Sequence, residues 1–261
     1  MTKKKNPIIF AGAGPGDPDL ITVKSMKALK EADLIIYAGS LVPEAVLCWK
    51  GGNTETKSSA GMDLKTIIDM IKAYHKKGKK VVRLHTGDPS LYGAIFEQMR
   101  ELGKVNIPYL VIPGVTAAFA ASAKMNMEYT LPEITQTLIL TRISGRTPVP
   151  ESEDLNTLAA HGSSMAIYLS MGHADKVQKI LEKHYGKDAI CAVAYKVSHP
   201  EEKIYYTKIK KLIETCVDNN ITRHALIIVG KPVQASIDSQ EITPSKLYDA
   251  TFSHGYRSAE K

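Results

Sequence analysis

The chain is poor in cysteine, in aromatic side chains and in uninterrupted hydrophobic runs, and each shortage removes a class of protein. Its three cysteines, Cys48, Cys191 and Cys216, are odd in number, far apart and form no CxxC pair. That spacing argues against a disulfide framework and against a zinc site, and no metal ligand set is expected. Aromatic residues are only 7% of the 261. The basic segment that interleaves them, Lys203-Ile204-Tyr205-Tyr206-Thr207-Lys208, alternates as a solvated edge strand does, and less as a base-stacking platform. The longest uncharged stretch, Val105 to Ala123, is interrupted by Pro108, Pro113 and Gly114. It reads as a strand, a turn and a buried helix, so no membrane span is expected. Lys3, Lys4 and Lys5 precede no apolar leader with a cleavage site, so no secretory signal is expected and the cytoplasm is the default compartment.

What is present is a hydrophobic content of 44%, enough for one large domain or two modest ones, and a net charge of +7. The positive excess favours an anionic partner, either nucleic acid or a small molecule with several carboxylates or phosphates; charge alone does not choose. Short β-rich runs at Leu34–Tyr37, Lys80–Leu84 and Tyr109–Ile112 read as buried strands and alternate with helical stripes. One stripe is Leu64, Ile67, Ile68 and Ile71; a second, after Pro89, is Leu91, Ile95 and Met99. A connection near residue 130 precedes a second set of strands at Thr135–Thr141, Ser164–Leu169, Ala189–Tyr195 and Ala225–Val229, with Val177, Ile180 and Leu181 on a helix. The expected fold class is α/β, with two α/β domains at residues 1–128 and 129–232, a cleft between them for a ligand, and a polar irregular tail over 233–261.

The strand Pro7-Ile8-Ile9-Phe10-Ala11 breaks into Gly12-Ala13-Gly14-Pro15-Gly16-Asp17-Pro18. Three glycines in five positions allow close backbone approach, but Asp17 stands where a dinucleotide fingerprint needs its third glycine, and a carboxylate there repels phosphate. The segment reads as a rigid loop floor, or as a plain tight turn if it stood alone. Three further loops follow strands. His85-Thr86-Gly87-Asp88-Pro89 offers an acceptor carboxylate and a proline to start a helix, or simply a turn and cap. Pro113-Gly114-Val115-Thr116-Ala117 opens a helix with small residues, for a flat ligand or for close packing. Thr141-Arg142-Ile143-Ser144-Gly145-Arg146-Thr147-Pro148-Val149-Pro150-Glu151 is a stiffened loop whose two guanidinium groups suit forked recognition of carboxylates.

Together these segments, from Phe10 through Thr22, His85–Pro89, Pro113–Ala117 and Ala225–Gly230, resemble the tetrapyrrole methylases over residues 7 to 231. The element Tyr37-Ala38-Gly39-Ser40-Leu41-Val42, Ala60-Gly61-Met62 and the loop Thr141–Glu151 resemble the precorrin-4 C11-methyltransferases, more closely the cobalt-precorrin-4 enzymes of anaerobic cobalamin synthesis. The resemblance implies two α/β domains with S-adenosylmethionine in the cleft between them. By position it implies that Pro15, Gly87, Asp88, Leu91, Thr116, Ala117, Leu169, Tyr195, Val197 and Ala225 contact this cofactor, with Met171 an alternative to Leu169. Gly39 departs from the Asp that many relatives carry, so no role for that carboxylate is transferred.

The reaction implied is methyl transfer to C11 of cobalt-precorrin-4, driven largely by positioning of an already electrophilic sulfonium. Arg142 and Arg146 are the candidates for gripping acetate and propionate arms. His85 and Glu97 are the candidates for a proton acceptor, a structural role for each being the stronger reading. The implied partner is an anionic tetrapyrrole, with no nucleic acid and no membrane, and relatives with this fold are usually homodimers. Competing readings are metal-free precorrin-4, uroporphyrinogen III, a modified histidine of elongation factor 2 or ribosomal RNA as substrate, and, in another class, a non-catalytic nucleic-acid binder.

Overall fold

The computed structural model of the chain describes residues 6–39, 41–238 and 243–259; Ser40 of the Tyr37–Val42 element, Lys3–Lys5 and part of the expected tail lie outside them. Two compact units are present, one formed by residues 1–120 with 197–200, the other by 121–196 with 201–261.

The first unit is built on a five-stranded sheet of β1 (Ile8–Gly12), β2 (Leu34–Tyr37), β3 (Glu55–Ser58), β4 (Val81–His85) and β5 (Tyr109–Ile112). The strands lie in the order β3-β2-β4-β1-β5 and every pairing is parallel. Both faces of the central strands β2, β4 and β1 are covered, as a parallel sheet requires. On one face Ile8, Phe10, Leu34 and Ile36 pack with α2 (Leu64–Lys76) and α3 (Ile95–Gly103) through Ile67, Ile68, Ile71, Ile95 and Leu102. On the other, Ala11, Ile35, Val82 and Leu84 pack with Leu29 of α1 (Val23–Glu31) and with Val46 of a 3-10 turn. The apolar runs of β2 and β4 are therefore strands buried on both sides, whereas Tyr109–Ile112, expected to be buried, forms the sheet edge and leaves Tyr109, Leu110 and Val111 exposed, because β5 has a neighbouring strand on one side only. Helix starts are fixed locally: the Thr22 side chain accepts from Ser25 N–H to cap α1, and Asp63 accepts from Thr66 N–H to cap α2.

One expectation fails here. The stripe Leu91, Ile95, Met99 with Pro89 at its start predicts a helix from Pro89, yet α3 begins only at Ile95. Tyr92 and Ala94 are left-handed, at φ 57° and 49°, and a Cβ on Gly93 would lie 2.1 Å from the Pro89 carbonyl oxygen. Such a backbone cannot propagate an α-helix, so Leu91 belongs to an irregular loop.

The chain leaves the first unit within α4 (Ala117–Lys124). The second unit carries β6 (Leu138–Arg142), β7 (Ser164–Tyr168), β8 (Ile190–Tyr195), β9 (Lys203–Lys208) and β10 (Ala225–Val229), in the order β6-β7-β10-β8-β9. β6 and β7 are parallel and the other pairings antiparallel. Leu155 and Ala159 of α5 (Leu155–Ala159), Val177 and Leu181 of α6 (Ala174–Tyr185), and Leu212 and Cys216 of α7 (Leu212–Asp218) cover one face over Met165, Ile167, Val193 and Ile227. The alternating segment Lys203–Lys208 is the edge strand its pattern predicts. The strand expected from Thr135 starts at Leu138, because Thr135 N–H is turned back to the Leu131 carbonyl. The irregular tail expected after Pro232 begins instead as α8 (Lys231–Ala235), with Pro232 in the first turn and Val233 buried. Among the described residues no helix is long and apolar enough to cross a membrane, and no cluster of three potential metal ligands occurs.

Candidate functional site

In the first sheet, β1 lies between β4 and β5. The chain leaves β1 toward β2, beyond β4, and leaves β4 toward β5, beyond β1. α1 and α3 consequently sit on opposite faces. The carboxyl ends of β1 and β4 thus form a topological switch point, the place in an open α/β sheet where a crevice opens for a ligand.

Three loops meet there. Ala13 N–H donates to the His85 carbonyl at 2.7 Å, and Gly87 N–H donates to the Gly14 carbonyl at 2.7 Å, so the β1 and β4 loops stay hydrogen-bonded beyond the parallel strands, through an isolated antiparallel bridge between Gly14 and Gly87. A Cβ on Gly12 would lie 2.6 Å from both the Gly114 Cα and the Gly87 oxygen, and one on Gly114 would lie 2.1 Å from the Gly87 oxygen. The glycines therefore let three backbones touch. Asp88 then ties the β4 loop to the β5 loop: its Oδ2 accepts from Gly114 N–H at 2.9 Å, and its Oδ1 accepts from Ser90 N–H at 2.8 Å and from the Ser90 hydroxyl. Burial pushes the Asp88 carboxyl up, but the bonds from Ser90 and Gly114 outweigh it and hold the group below its ordinary value, hence ionised.

These contacts bring Pro15, Gly87, Asp88, Leu91, Thr116 and Ala117 to one edge of the first unit. Pro15, Gly87 and Thr116 are buried and the others partly so. The returning segment 197–200 belongs to the same unit: Asp17 N–H donates to Ser198 Oγ at 2.9 Å, and Gly16 lies against the His199 ring. Val197 is buried beside them in the chain. The only charged side chain among these candidates is the Asp88 carboxylate. Such a donor set fits a ligand bearing positive charge and an apolar body, and is unsuited to phosphate.

Beneath the crevice, His85 is 4% exposed, its ring 6.1 Å from that of Phe10, and its Nε2 has no hydrogen-bond partner among the described residues. Burial, with the Arg83 charge adding to it, pushes the imidazole down to about 3. Arg83 itself is buried, donating to Gln98 Oε1 at 3.2 Å and to the Ile36 carbonyl at 3.1 Å. Glu97 is exposed in the first turn of α3.

The second unit has its own assembled edge. β6, β7 and β8 all end on it and β10 begins on it, since Arg142 pairs with Tyr168 and Tyr195 with Ala225. Arg142, Leu169, Tyr195 and Ala225, far apart in sequence, are brought to this edge. Arg142 donates from Nη1 to the Thr147 carbonyl at 2.9 Å and to the Ile143 carbonyl at 3.3 Å, and from Nη2 to the Pro148 carbonyl at 2.8 Å. Ile143 N–H donates to Ser170 Oγ at 3.0 Å, joining the β6 and β7 exits. Arg146 is exposed and makes no hydrogen bond or ion pair with the described residues. A pocket of about 290 Å³ opens here, lined by Arg142, Gly145, Arg146, Leu169, Gly172 and His173 among others. Leu169 is left-handed at φ 51° and 65% exposed, while Met171, its alternative, is buried in the core. His173 carries no motif in the sequence and reaches the site because β7 ends five residues before it, at Tyr168, and a single 3-10 turn, Met171–His173, follows.

A family model for tetrapyrrole (corrin/porphyrin) methylases matches residues 7–213. A cobalt-precorrin-4 C(11)-methyltransferase of Methanocaldococcus jannaschii is 49% identical over 255 residues, with 97% of each chain covered. One from Priestia megaterium is 43% identical over 255 residues, covering 97% of this chain and 98% of the relative. Among solved structures, a cobalt precorrin-4 methyltransferase of cobalamin biosynthesis matches with a TM-score of 0.85 at 42% identity, covering 87% of this chain and 95% of that one.

Proposed function

The chain belongs to the tetrapyrrole (corrin/porphyrin) methylase family, and we propose that it transfers a methyl group from S-adenosylmethionine to C11 of cobalt-precorrin-4, giving cobalt-precorrin-5A and S-adenosylhomocysteine. The observation that carries this reading is the 49% identity to the Methanocaldococcus jannaschii methyltransferase, sustained over 97% of both chains. The cofactor, when bound, supplies a methyl group on a positively charged sulfur, already electrophilic enough to need no protein nucleophile.

The chain's own residues then have three tasks. The family resemblance assigns cofactor contacts to Pro15, Gly87, Leu91, Thr116, Ala117 and Val197 in the first unit and to Leu169, Tyr195 and Ala225 in the second; positioning of the cofactor supplies much of the rate. The ionised Asp88 carboxylate keeps two loops in register and suits a ligand that carries positive charge. The carboxylate arms of the tetrapyrrole are met by cationic side chains of the loop after β6. His85, with its pKa near 3, is too weak a base to collect a proton at neutral pH, which supports a structural part for it. The working state is a cytoplasmic homodimer, a reading supported by three unpaired cysteines for the compartment and by family resemblance for the assembly.

The test is anaerobic incubation of the purified protein with S-adenosylmethionine and enzymatically prepared cobalt-precorrin-4, with metal-free precorrin-4 and uroporphyrinogen III in parallel. One added methyl at C11 of the cobalt substrate is expected. Cofactor binding with no methylation of it overturns the substrate assignment.

A further inference from the structure

The pocket after β6 and β7 is a small, one-signed site. Arg142, Arg146 and His173 face it, and neither Asp nor Glu lines it. The three cationic or basic groups are not equivalent. Arg142 spends three N–H donations on the carbonyls of Ile143, Thr147 and Pro148, closing the loop on itself. Arg146 and the His173 ring, in contrast, make no hydrogen bond or ion pair with the described residues, so their donors remain available.

Gly145 explains how the two come together. A Cβ there would lie 3.0 Å from His173 Nε2 and 3.3 Å from its Cδ2. The imidazole edge therefore rests on bare backbone one residue before Arg146. Leu169, held left-handed and exposed, supplies an apolar lip. A non-glycine left-handed residue is strained, and such strain concentrates at ligand sites. The volume of about 290 Å³ lies at the bottom of the range of roughly 300–1,000 Å³ for small-molecule sites. That is room for one acid arm and the ring edge that bears it, and too little for a tetrapyrrole macrocycle.

We propose that this pocket is a subsite for one carboxylate arm of the tetrapyrrole, gripped by Arg146 and the His173 imidazole, with Arg142 acting as a positioning residue that shapes the loop. The inference rests on the methyltransferase reading above and deepens it. Guanidinium provides the forked contact a carboxylate accepts, and His173 Nε2 adds a donor from a second segment of chain. Arm selection then comes from geometry: a macrocycle whose arm cannot enter between Gly145 and Leu169 leaves both donors unsatisfied.

The test compares the wild-type protein with Arg146→Ala, His173→Phe, His173→Gln and Gly145→Ala. Steady-state kinetics with cobalt-precorrin-4 give separate KM values for tetrapyrrole and S-adenosylmethionine. Fluorescence titration with uroporphyrin I and its octamethyl ester reads binding without turnover. The KM for the tetrapyrrole is expected to rise about tenfold in Arg146→Ala and severalfold in His173→Phe and Gly145→Ala. His173→Gln is expected to recover most of the loss by restoring a donor, and the KM for S-adenosylmethionine to stay within twofold throughout. Uroporphyrin should bind the wild type at least tenfold tighter than its ester, and that preference should shrink in Arg146→Ala. A wild-type protein that methylates cobalt-precorrin-4 while every variant keeps its tetrapyrrole KM overturns the subsite and leaves the function standing. Phosphate that competes with uroporphyrin only through Arg146, with the ester binding as well as the acid, also overturns it and makes the pocket a general anion site. A wild-type protein that methylates no tetrapyrrole overturns the function itself.

Discussion

The Asp88 carboxylate accepts a hydrogen bond from the backbone N–H of Gly114 at 2.9 Å, across 26 residues of sequence. With Ser90 on its other oxygen, it fastens the loop after β4 to the loop after β5. Asp88→Ala is expected to cost about 1.5–3 kcal/mol, the range for hydrogen bonds to a charged group. The group's pKa is lowered in the folded protein, so its contribution is complete above the ordinary value near 3.8 and fades as pH falls through the lower folded value. Denaturant titrations at pH 7 and pH 3 should show a larger loss at pH 7. Equal losses at both would remove the carboxylate's charge from the account.

Gly114 is the other partner, and its missing side chain matters as much as its N–H. A Cβ there would stand 2.1 Å from the Gly87 oxygen and 2.9 Å from the Gly12 Cα, both backbone atoms that cannot rotate aside. Gly114→Ala must therefore spread the loops that carry Asp88 and Thr116. Isothermal titration should show S-adenosylmethionine affinity reduced at least tenfold. An affinity within twofold of wild type would place the cofactor away from this junction.

Much of this architecture could be read from the chain. Leu34–Tyr37 and Ala225–Val229 are legible because each is a continuous apolar run closed by polar or small residues, the mark of a buried strand; Tyr109–Ile112 has the same pattern and the expected bounds, yet it is the sheet edge and leaves three of its four residues exposed. The start of α3 was not legible, since Leu91 keeps helical spacing with Ile95 while Tyr92 and Ala94 take a left-handed backbone that no periodicity reports. Nor could spacing show that Arg142 turns its donors on its own loop while Arg146 does not. The pairing of His173 with Gly145 depends on where β7 ends, a tertiary fact with no local trace.

His85 predicts an acid sensitivity distinct from that of Asp88. Its folded pKa, near 3, is depressed from 6.5, so the unfolded chain takes up a proton that the folded one refuses. Stability is then whole above about pH 6.5 and declines toward the folded pKa, by as much as about 1.4 kcal/mol per pH unit. His85→Leu should flatten the stability profile between pH 6.5 and pH 4, measured by urea unfolding at half-unit steps. An unchanged slope would mean that the imidazole charges in the folded state.

Arg142 forks onto the Thr147 and Pro148 carbonyls, two contacts that one planar guanidinium can make together and an ammonium cannot. Arg142→Ala and Arg142→Lys should therefore both open the loop between Ile143 and Pro150. Limited proteolysis should cut this loop about tenfold faster in both variants, while global melting moves by only a few degrees, because the loop lies at the edge of the sheet. A lysine variant as resistant as wild type would show that charge, and not the fork, maintains the loop.

Leu169 offers the sharpest separation of stability from function. It follows β7, is left-handed at φ 51°, and leaves 65% of its surface in solvent. A leucine gains little there from burial and bears the cost of a disfavoured backbone, about 1 kcal/mol or more. Glycine accepts that conformation freely. Leu169→Gly should therefore keep or raise the melting temperature while weakening S-adenosylmethionine binding severalfold, since the apolar contact proposed for the side chain would be lost. A variant that melts earlier would show that the side chain stabilises the fold, and one that binds the cofactor as wild type does would remove Leu169 from the site.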